Sequence, residues 1–372
     1  SNEVFNGIPS HILSRLTSDN TTETFFVSNP TSGDVEPVLN EWATLSSGRG
    51  PNVLHDSLIS NFGTKAVELN ESQSEYFLGD VYESTTDIIP LSQMSIIVRG
   101  IEQLEKFLGK YRGCGVEMHH LDFSASKRVQ NMIIGHIKAV DLTMSSVETV
   151  WAGGNMELLD LSYCKKLTII AVSGEINKLS LRSCCSLTDV GSLGKVRTLD
   201  LSACHEITDV SALGKVHTLI LSSCSGIYDV SALGGVHTLD LSHCPNVSNV
   251  DALGGVHTLD LSFCSKVRDV YSLQDVPVLN LAYTGVRDIS DICFIGEIDI
   301  TGCRIDTETI NLSSAIKVNA MNCYGLRSLD SLSGATTHLK CSTIECSEPE
   351  WSLRSLESFT INCPYFSDDY VK

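Results

Sequence analysis

No stretch of this 372-residue chain has an apolar run long enough to cross a bilayer, and no signal peptide opens it. The first absence argues against a membrane-embedded protein; the second is in keeping with the cytoplasmic location expected from the cysteines below. Basic residues are also scarce, with 26 Lys and Arg against 45 Asp and Glu and a formal net charge of −19. Binding to phosphate backbones needs clustered Lys and Arg, so neither nucleic acid nor an anionic membrane is expected as a partner. A protein with a neutral or basic contact surface is. The signatures of common enzymes are missing too. There is no G-x-S-x-G elbow and no phosphate-cradling glycine loop, and His119-His120 lacks the helical spacing of a metalloprotease. No enzyme, cofactor or metal centre is expected.

What the chain has in abundance is itself. "VHTLDLSHCPNVSNVDALGG" runs from Val236 to Gly255, and "VHTLDLSFCSKVRDVYSLQD" begins at Val256. Taking the apolar-x-apolar pair as the register mark, copies fall at Leu159/Leu161, Leu179/Leu181, Leu199/Leu201, Leu219/Leu221, Leu239/Leu241, Leu259/Leu261 and Leu279/Leu281. Weaker copies extend the series to thirteen rungs between residues 121 and 361. Within one rung the apolar residues are Val236, Leu239, Leu241, Val247, Val250 and Leu253, mostly three apart, with one step of two at Leu239-x-Leu241. A step of two sets both leucines on one face of a short strand, and steps of three broken by glycine suit tight or 3₁₀ turns. A single coil cannot bury its apolar stripe, but stacked coils can. The expected fold is an α/β-type repeat solenoid dominated by parallel β-strands, with short non-helical or 3₁₀ outer loops. An elongated particle is expected in solution scattering.

The wording LxxLxLxxC followed by xx[IV]TDV, as in "VRTLDLSACHEITDVSALG", resembles the leucine-rich repeat family, in its cysteine-containing subclass known from F-box proteins. Short repeats of similar wording occur in giant DNA viruses and protists. In the F-box subclass "ITD" leads into a helix, whereas "VSALGG" here leaves room for about one turn, so a flatter array is expected.

Of fourteen cysteines, eight share one phase: Cys164, Cys184, Cys204, Cys224, Cys244, Cys264, Cys303 and Cys323. The slot holds Ser126, Ser145 and Thr284 in other rungs. All are small hydrogen-bond donors, which a tight turn with unpaired carbonyls requires, and the resemblance implies a buried ladder at this position. No C-x-x-C occurs and no pairing pattern emerges, so reduced, buried structural thiols are expected, in keeping with a reducing compartment. The Asp of "TDV" (Asp189, Asp209, Asp229, Asp269, with Asn249 once) is read as a cap on the short turn that follows. His217, His237 and His257 stand one rung apart but in duplicated text beside Arg197 and Pro277, so they are not read as metal ligands.

Residues 1–115 lack the period and form a non-repeat, partly helical cap, with "IEQLEKFLGKY" reading as an amphipathic helix. The solenoid occupies 116–345, and 346–372 hold the last repeat and its cap. Within 5–45, Ile8, Pro9, Ile12, Leu13 and Leu16, followed by Trp42, resemble the ends of an F-box, with Pro30, Gly33 and Pro37 between them. That resemblance implies docking to a Skp-type adaptor and substrate recognition in a ubiquitin ligase. A secreted or surface adhesin is the other alternative to a plain protein-interaction scaffold. Sequons at Asn20, Asn70, Asn246 and Asn311 permit it, and a free thiol on every rung argues against it.

The residue between the two strand leucines points to the exposed inner face. Along the array it is Asp122, Asp141, Asp160, Ser180, Asp200, Ile220, Asp240, Asp260, Asn280 and Asp299. Nothing in a strand requires a carboxylate there, and neighbouring ones repel. Thr198, Thr238, Thr258, Ser202, Ser242 and Ser262 flank the row and are read as donors to it. Just before the ladder cysteine, three successive rungs carry His243, Phe263 and Tyr283 where others carry Ala203 or Ser223. Asp200, Asp240, Asp260, Asn280 and Asp299 with these three rings form the candidate binding site, suited to Lys or Arg through paired charge and cation–π contact.

Overall fold

The computed structural model describes residues 139–323, apart from 154, 291, 293–295 and 306–314, together with Ser124 and the strands named below outside that range. The chain divides into two units, Ser1–Asp200 and Leu201–Lys372.

In the first unit the strands are β1 (Thr24–Ser28), β2 (Asn52–His55), β3 (Ala66–Glu68), β4 (Ser95–Arg99), β5 (Met118–Asp122), β6 (Asn131–Ile134), β7 (Ala139–Asp141), β8 (Thr149–Ala152), β9 (Met156–Asp160), β10 (Ile169–Val172), β11 (Ile176–Ser180) and β12 (Thr198–Asp200). They form two parallel sheets. One runs β3-β4-β5-β7-β9-β11-β12 and the other β10-β8-β6-β1-β2. Four of these strands precede residue 116 and pair in parallel with their neighbours in the sheets. The second sheet is a departure from the expected outer turns. "TVWA" and "IIAV" carry consecutive apolar and β-branched residues with no Leu-Gly stop, so they extend and pair (Ile170 with Val150, Ala171 with Trp151) rather than curl.

The second unit contains β13 (Thr218–Ile220), β14 (Thr238–Asp240), β15 (Thr258–Asp260), β16 (Val278–Asn280), β17 (Glu297–Asp299), β18 (Lys317–Ala320), β19 (His338–Cys341) and β20 (Ser358–Ile361), stacked in chain order and all parallel. Equivalent residues lie side by side, Leu239 against Leu259 and Asp240 against Asp260. The outer turns are 3₁₀, at Ser211–Leu213, Ser231–Gly235, Asp251–Gly255 and Tyr271–Leu273. Asp209, Asp229, Asn249 and Asp269 each accept, through Oδ1, the backbone N–H two residues on (2.8–3.0 Å), which is the capping role expected of "TDV". These bonds hold the Asp209 and Asp229 carboxyls below the usual range.

All six apolar positions of the rung Val236–Gly255 are buried, as is Cys244. The thiol has a defined task. Cys244 Sγ donates to the Leu221 carbonyl one rung earlier (3.1 Å), Cys264 to Leu241 (3.0 Å), Cys224 to Leu201 (3.1 Å) and Cys303 to Leu281 (3.0 Å). In the first unit Cys184 reaches Leu161 and Cys164 reaches Leu142. All eight ladder cysteines are buried, including Cys204 and Cys323, whereas Cys185 is exposed. Ser145 stands in for a cysteine and contacts Cys164 Sγ at 3.4 Å, while Thr284 turns its hydroxyl to its own rung, donating to Leu281 O at 2.7 Å. The repeat length, the in-register strand pairs and the ladder make this a parallel-strand solenoid of short, cysteine-containing repeats, the architecture that the leucine-rich repeat resemblance implies.

Two predictions concern the ladder. Cys244→Ser keeps a donor of nearly the same size, so urea unfolding should show a loss of only about 0.5–1.5 kcal/mol. The second is a pH effect. Burial pushes the Cys244 and Cys264 thiols up to about 12, with the neighbouring thiol Cys224 adding to the shift at Cys244. Between pH 9 and about 12 an unfolded chain releases these protons while the folded chain keeps them, so stability should fall across that window. A Cys244→Ser/Cys264→Ser variant should show a shallower fall. Equal slopes in wild type and variant would contradict the assignment.

Candidate functional site on the strand face of the second unit

The strands β13 to β17 are three residues long and alternate by necessity: Leu239 points into the core, while Thr238 and Asp240 sit half-buried on the face. The carboxylates are not idle, which corrects the expectation that nothing in the fold requires them. Asp240 Oδ1 accepts the Ser242 N–H (2.8 Å), Asp260 the Ser262 N–H (2.8 Å) and Asp299 the Thr301 N–H (2.8 Å). Asn280 does the same with Ala282 (3.0 Å). The chain leaves the strand in a tight turn, and a side-chain oxygen two residues back closes it. In the first unit Asp141 and Asp160 repeat the arrangement, and Asp200 is half-buried at the end of β12.

The expected relief of repulsion also takes a different form. It is the backbone of the flanking Ser residues that donates, while hydroxyls pair with one another, Ser222 with Ser242 at 2.9 Å. Asparagines separate the charges. Asn280 Nδ2 donates to Asp260 Oδ2 (2.9 Å) and Asn319 Nδ2 to Asp299 Oδ2 (2.6 Å). Asn319 had not been picked out from the sequence, though its place between Val318 and Ala320 puts it in register with Asp299.

The turn drives the residue that follows its backbone N–H donor into the left-handed region. Ala203, Ser223, His243, Phe263 and Tyr283 have φ of 57° to 63°, and Asn322 has 53°. Ala and Ser share this backbone with the aromatics, so the strain belongs to the coil and not to the site. What distinguishes three rungs is the size of the group projected outward. The His243 and Phe263 rings stack at 4.2 Å and 9°, and the Phe263 and Tyr283 rings at 4.7 Å and 16°. Tyr283 in turn lies over Gly302, where a Cβ would come within 2.5 Å of the ring. Phe263 and Tyr283 remain 44% exposed.

This geometry corrects the cation–π part of the sequence reading. A cation binds the negative face of a ring, and both faces of Phe263 and Tyr283 are covered by stacking or by Gly302. Their edges, where the quadrupole is positive, form the outer surface. The three rings are one apolar ridge, seen edge-on, beside a row of carboxylates. In the first unit Met144 and Tyr163 hold the equivalent position and are also exposed. In the sequence they stand alone, since Met144 precedes Ser145 and Tyr163 has no aromatic in the same slot of either neighbouring rung.

The histidine column is ordered as well. His237 stacks on His257 at 4.6 Å, and His217 meets His237 edge-on at 4.7 Å. Desolvation, then the neighbours His257 and His217, hold His237 below its ordinary pKa. Among the described residues no three His, Cys, Asp or Glu side chains are grouped to hold a metal ion, and no helix is long and apolar enough to cross a membrane. Of the sequons, only Asn246 is described. It is exposed, donates to Ser225 O (2.8 Å) and accepts from Lys266 Nζ (2.7 Å). The F-box-like positions Ile8, Pro9, Ile12, Leu13, Leu16 and Trp42 lie outside the described residues, as do the amphipathic segment after Gly100 and the ladder position Ser126.

No protein-family model and no curated protein matches the chain. Among solved structures it is similar to an internalin, InlF, from Listeria monocytogenes, at 15% identity and a TM-score of 0.39 over 62% of this chain and 81% of that one. It is also similar to the functional domain of InlJ from Listeria monocytogenes, which includes a cysteine ladder, at 17% identity and a TM-score of 0.36 over 71% of this chain and 65% of that domain.

Proposed function

We propose that the chain is a non-catalytic protein-interaction scaffold that contacts its partner through the strand face of the second unit. The observation that carries this reading is the exposed ridge of His243, Phe263 and Tyr283 set against the half-buried row Asp240, Asp260, Asn280 and Asp299. A contiguous apolar edge rimmed by polar groups is what a protein-binding surface presents. The ridge fills space between the partner and the coil, and the carboxylate oxygens left outside the turns receive Lys or Arg. Paired charge remains in this reading; cation–π contact does not.

The turns also supply a clean test. Asn280 shows that an amide closes the turn as a carboxylate does. Asp240→Asn with Asp260→Asn should therefore keep both turns closed, losing about 1 kcal/mol at most where Asn280 gives up its bond to Asp260 Oδ2, while weakening partner binding at least tenfold. Phe263→Ser with Tyr283→Ser should weaken it comparably. Tyr228→Ser with Tyr271→Ser, at exposed tyrosines (64% each) outside the ridge, should have no effect. Capture from native extract followed by titration of the recovered partner reads all three. Binding that survives the first two pairs but fails with the third would move the site to the outer turns.

A further inference from the structure

The ridge ends at a change in the repeat. From Leu241 to Leu281 the register mark recurs every twenty residues, but from Leu281 to Ile300 it takes nineteen. The missing residue is in the turn after the ladder position. Cys244 and Cys264 are followed by a buried valine three residues on, whereas Thr284 reaches Val286, and Cys303 reaches Ile305, in two. A Cβ on Gly285 would meet the Ser265 carbonyl oxygen at 2.6 Å, as one on Gly226 would meet His205 O in a rung of full length. A depression of about 490 Å³ is left on this side of the coil.

Three arginines line it. Arg268 and Arg287 occupy the same position in successive rungs, where the earlier rungs carry Thr208, Tyr228 and Ser248, and Arg304 comes from the second shortened turn. The bare Gly285 gives room for the Arg268 stem, whose Cγ lies 3.2 Å from where a Cβ would be. One carboxylate, Asp288, shares the lining, and its Oδ1 already accepts the Ser290 N–H at 2.9 Å. Three exposed guanidiniums around one hollow repel each other, in a chain whose net charge is −19. Gly302, beneath the Tyr283 ring, forms part of the same wall.

The geometry points to an oxyanion site: the hollow takes the phosphate or sulfate group of a small ligand. Guanidinium forks match the oxygens of a tetrahedral anion in pairs, and one such group relieves the repulsion among all three arginines. Overall composition argues against phosphate as a partner, yet composition averages over the surface and this patch is local. The site is independent of the protein-binding role proposed for the ridge.

The test uses the whole chain, inorganic phosphate and, in a second arm, sulfate, each titrated by calorimetry at constant ionic strength with chloride as the balancing ion. Saturable binding of either ion is expected, weakened at least tenfold in Arg287→Gln/Arg304→Gln with the unfolding midpoint unchanged. The stronger of the two ions identifies the ester. If the double variant fails to fold, Arg304→Gln alone, at an exposed turn, should still weaken binding severalfold. Absence of saturable binding by both ions, or equal binding by wild type and folded variant, overturns the site.

Discussion

Leu241→Ala is expected to destabilise the second unit by about 2–5 kcal/mol, toward the upper end of that range. Leu241 is fully buried, and its backbone is held from both sides. Its N–H donates to Asp260 O (2.8 Å), and its carbonyl accepts the Cys244 N–H (3.2 Å) and the Cys264 thiol (3.0 Å). A rung pinned in this way cannot close over the missing methyl groups, so most of the cavity remains. Each rung is coupled chiefly to its neighbours, so the loss should also broaden the unfolding transition as flanking rungs melt separately. Urea titration followed by circular dichroism reads both effects. A loss below about 1 kcal/mol would mean that the core relaxes far more than this hydrogen bonding allows.

Gly234→Ala should be comparably severe for the opposite reason. A Cβ at Gly234 would lie 2.1 Å from the Ala252 carbonyl oxygen in the next outer turn. The obstacle is backbone, so no side chain can swing aside, and the two turns must separate. Overpacking usually costs about 1–3 kcal/mol, and a clash with main chain belongs at or above the top of that range. Gly214 and Gly254 face the same contact, at 2.1 Å from Ala232 O and 2.3 Å from Ser272 O. Ser211→Ala, at an exposed position of a neighbouring turn, should be nearly silent and serves as the control. Thermal unfolding of the two variants side by side decides the matter.

The parts of the molecule that burial controls were legible in the sequence. Val236, Leu239, Leu241, Val247, Val250 and Leu253 declare themselves because each must be apolar in every rung, and a recurring small donor at Cys244 implied a recurring acceptor. The parts governed by conformation were not. Asp240 reads as a free surface charge until the turn is seen to need an oxygen for the Ser242 N–H. His243, Phe263 and Tyr283 read as open faces until a left-handed turn at each rung aligns their rings. In the first unit, "TVWA" and "IIAV" keep the apolar content of an outer turn while exchanging its shape for a strand, a choice made by pairing between rungs. The hollow beside Gly285 arises from one absent residue, which the change of period from twenty to nineteen records without showing what it opens.

The equality of the rungs bears on how the length of this chain can change. Val236 and Val256 have nearly the same backbone, φ −72°, ψ 135° and φ −73°, ψ 137°, and the thiol bonds on either side match to within 0.1 Å. Joining Gly235 directly to Val256 would thus recreate a junction the protein already contains. As backbone, residues 236–255 form an interchangeable module, and a duplication or excision of this segment leaves the remaining rungs with familiar neighbours, although it repeats or removes Asp240 and His243. The aromatic ridge and the arginine hollow are not interchangeable, since each is written once. Upstream duplications would therefore act as spacers, shifting both features away from Ala203 and Ser223 by about 4.8 Å per added rung without altering their chemistry.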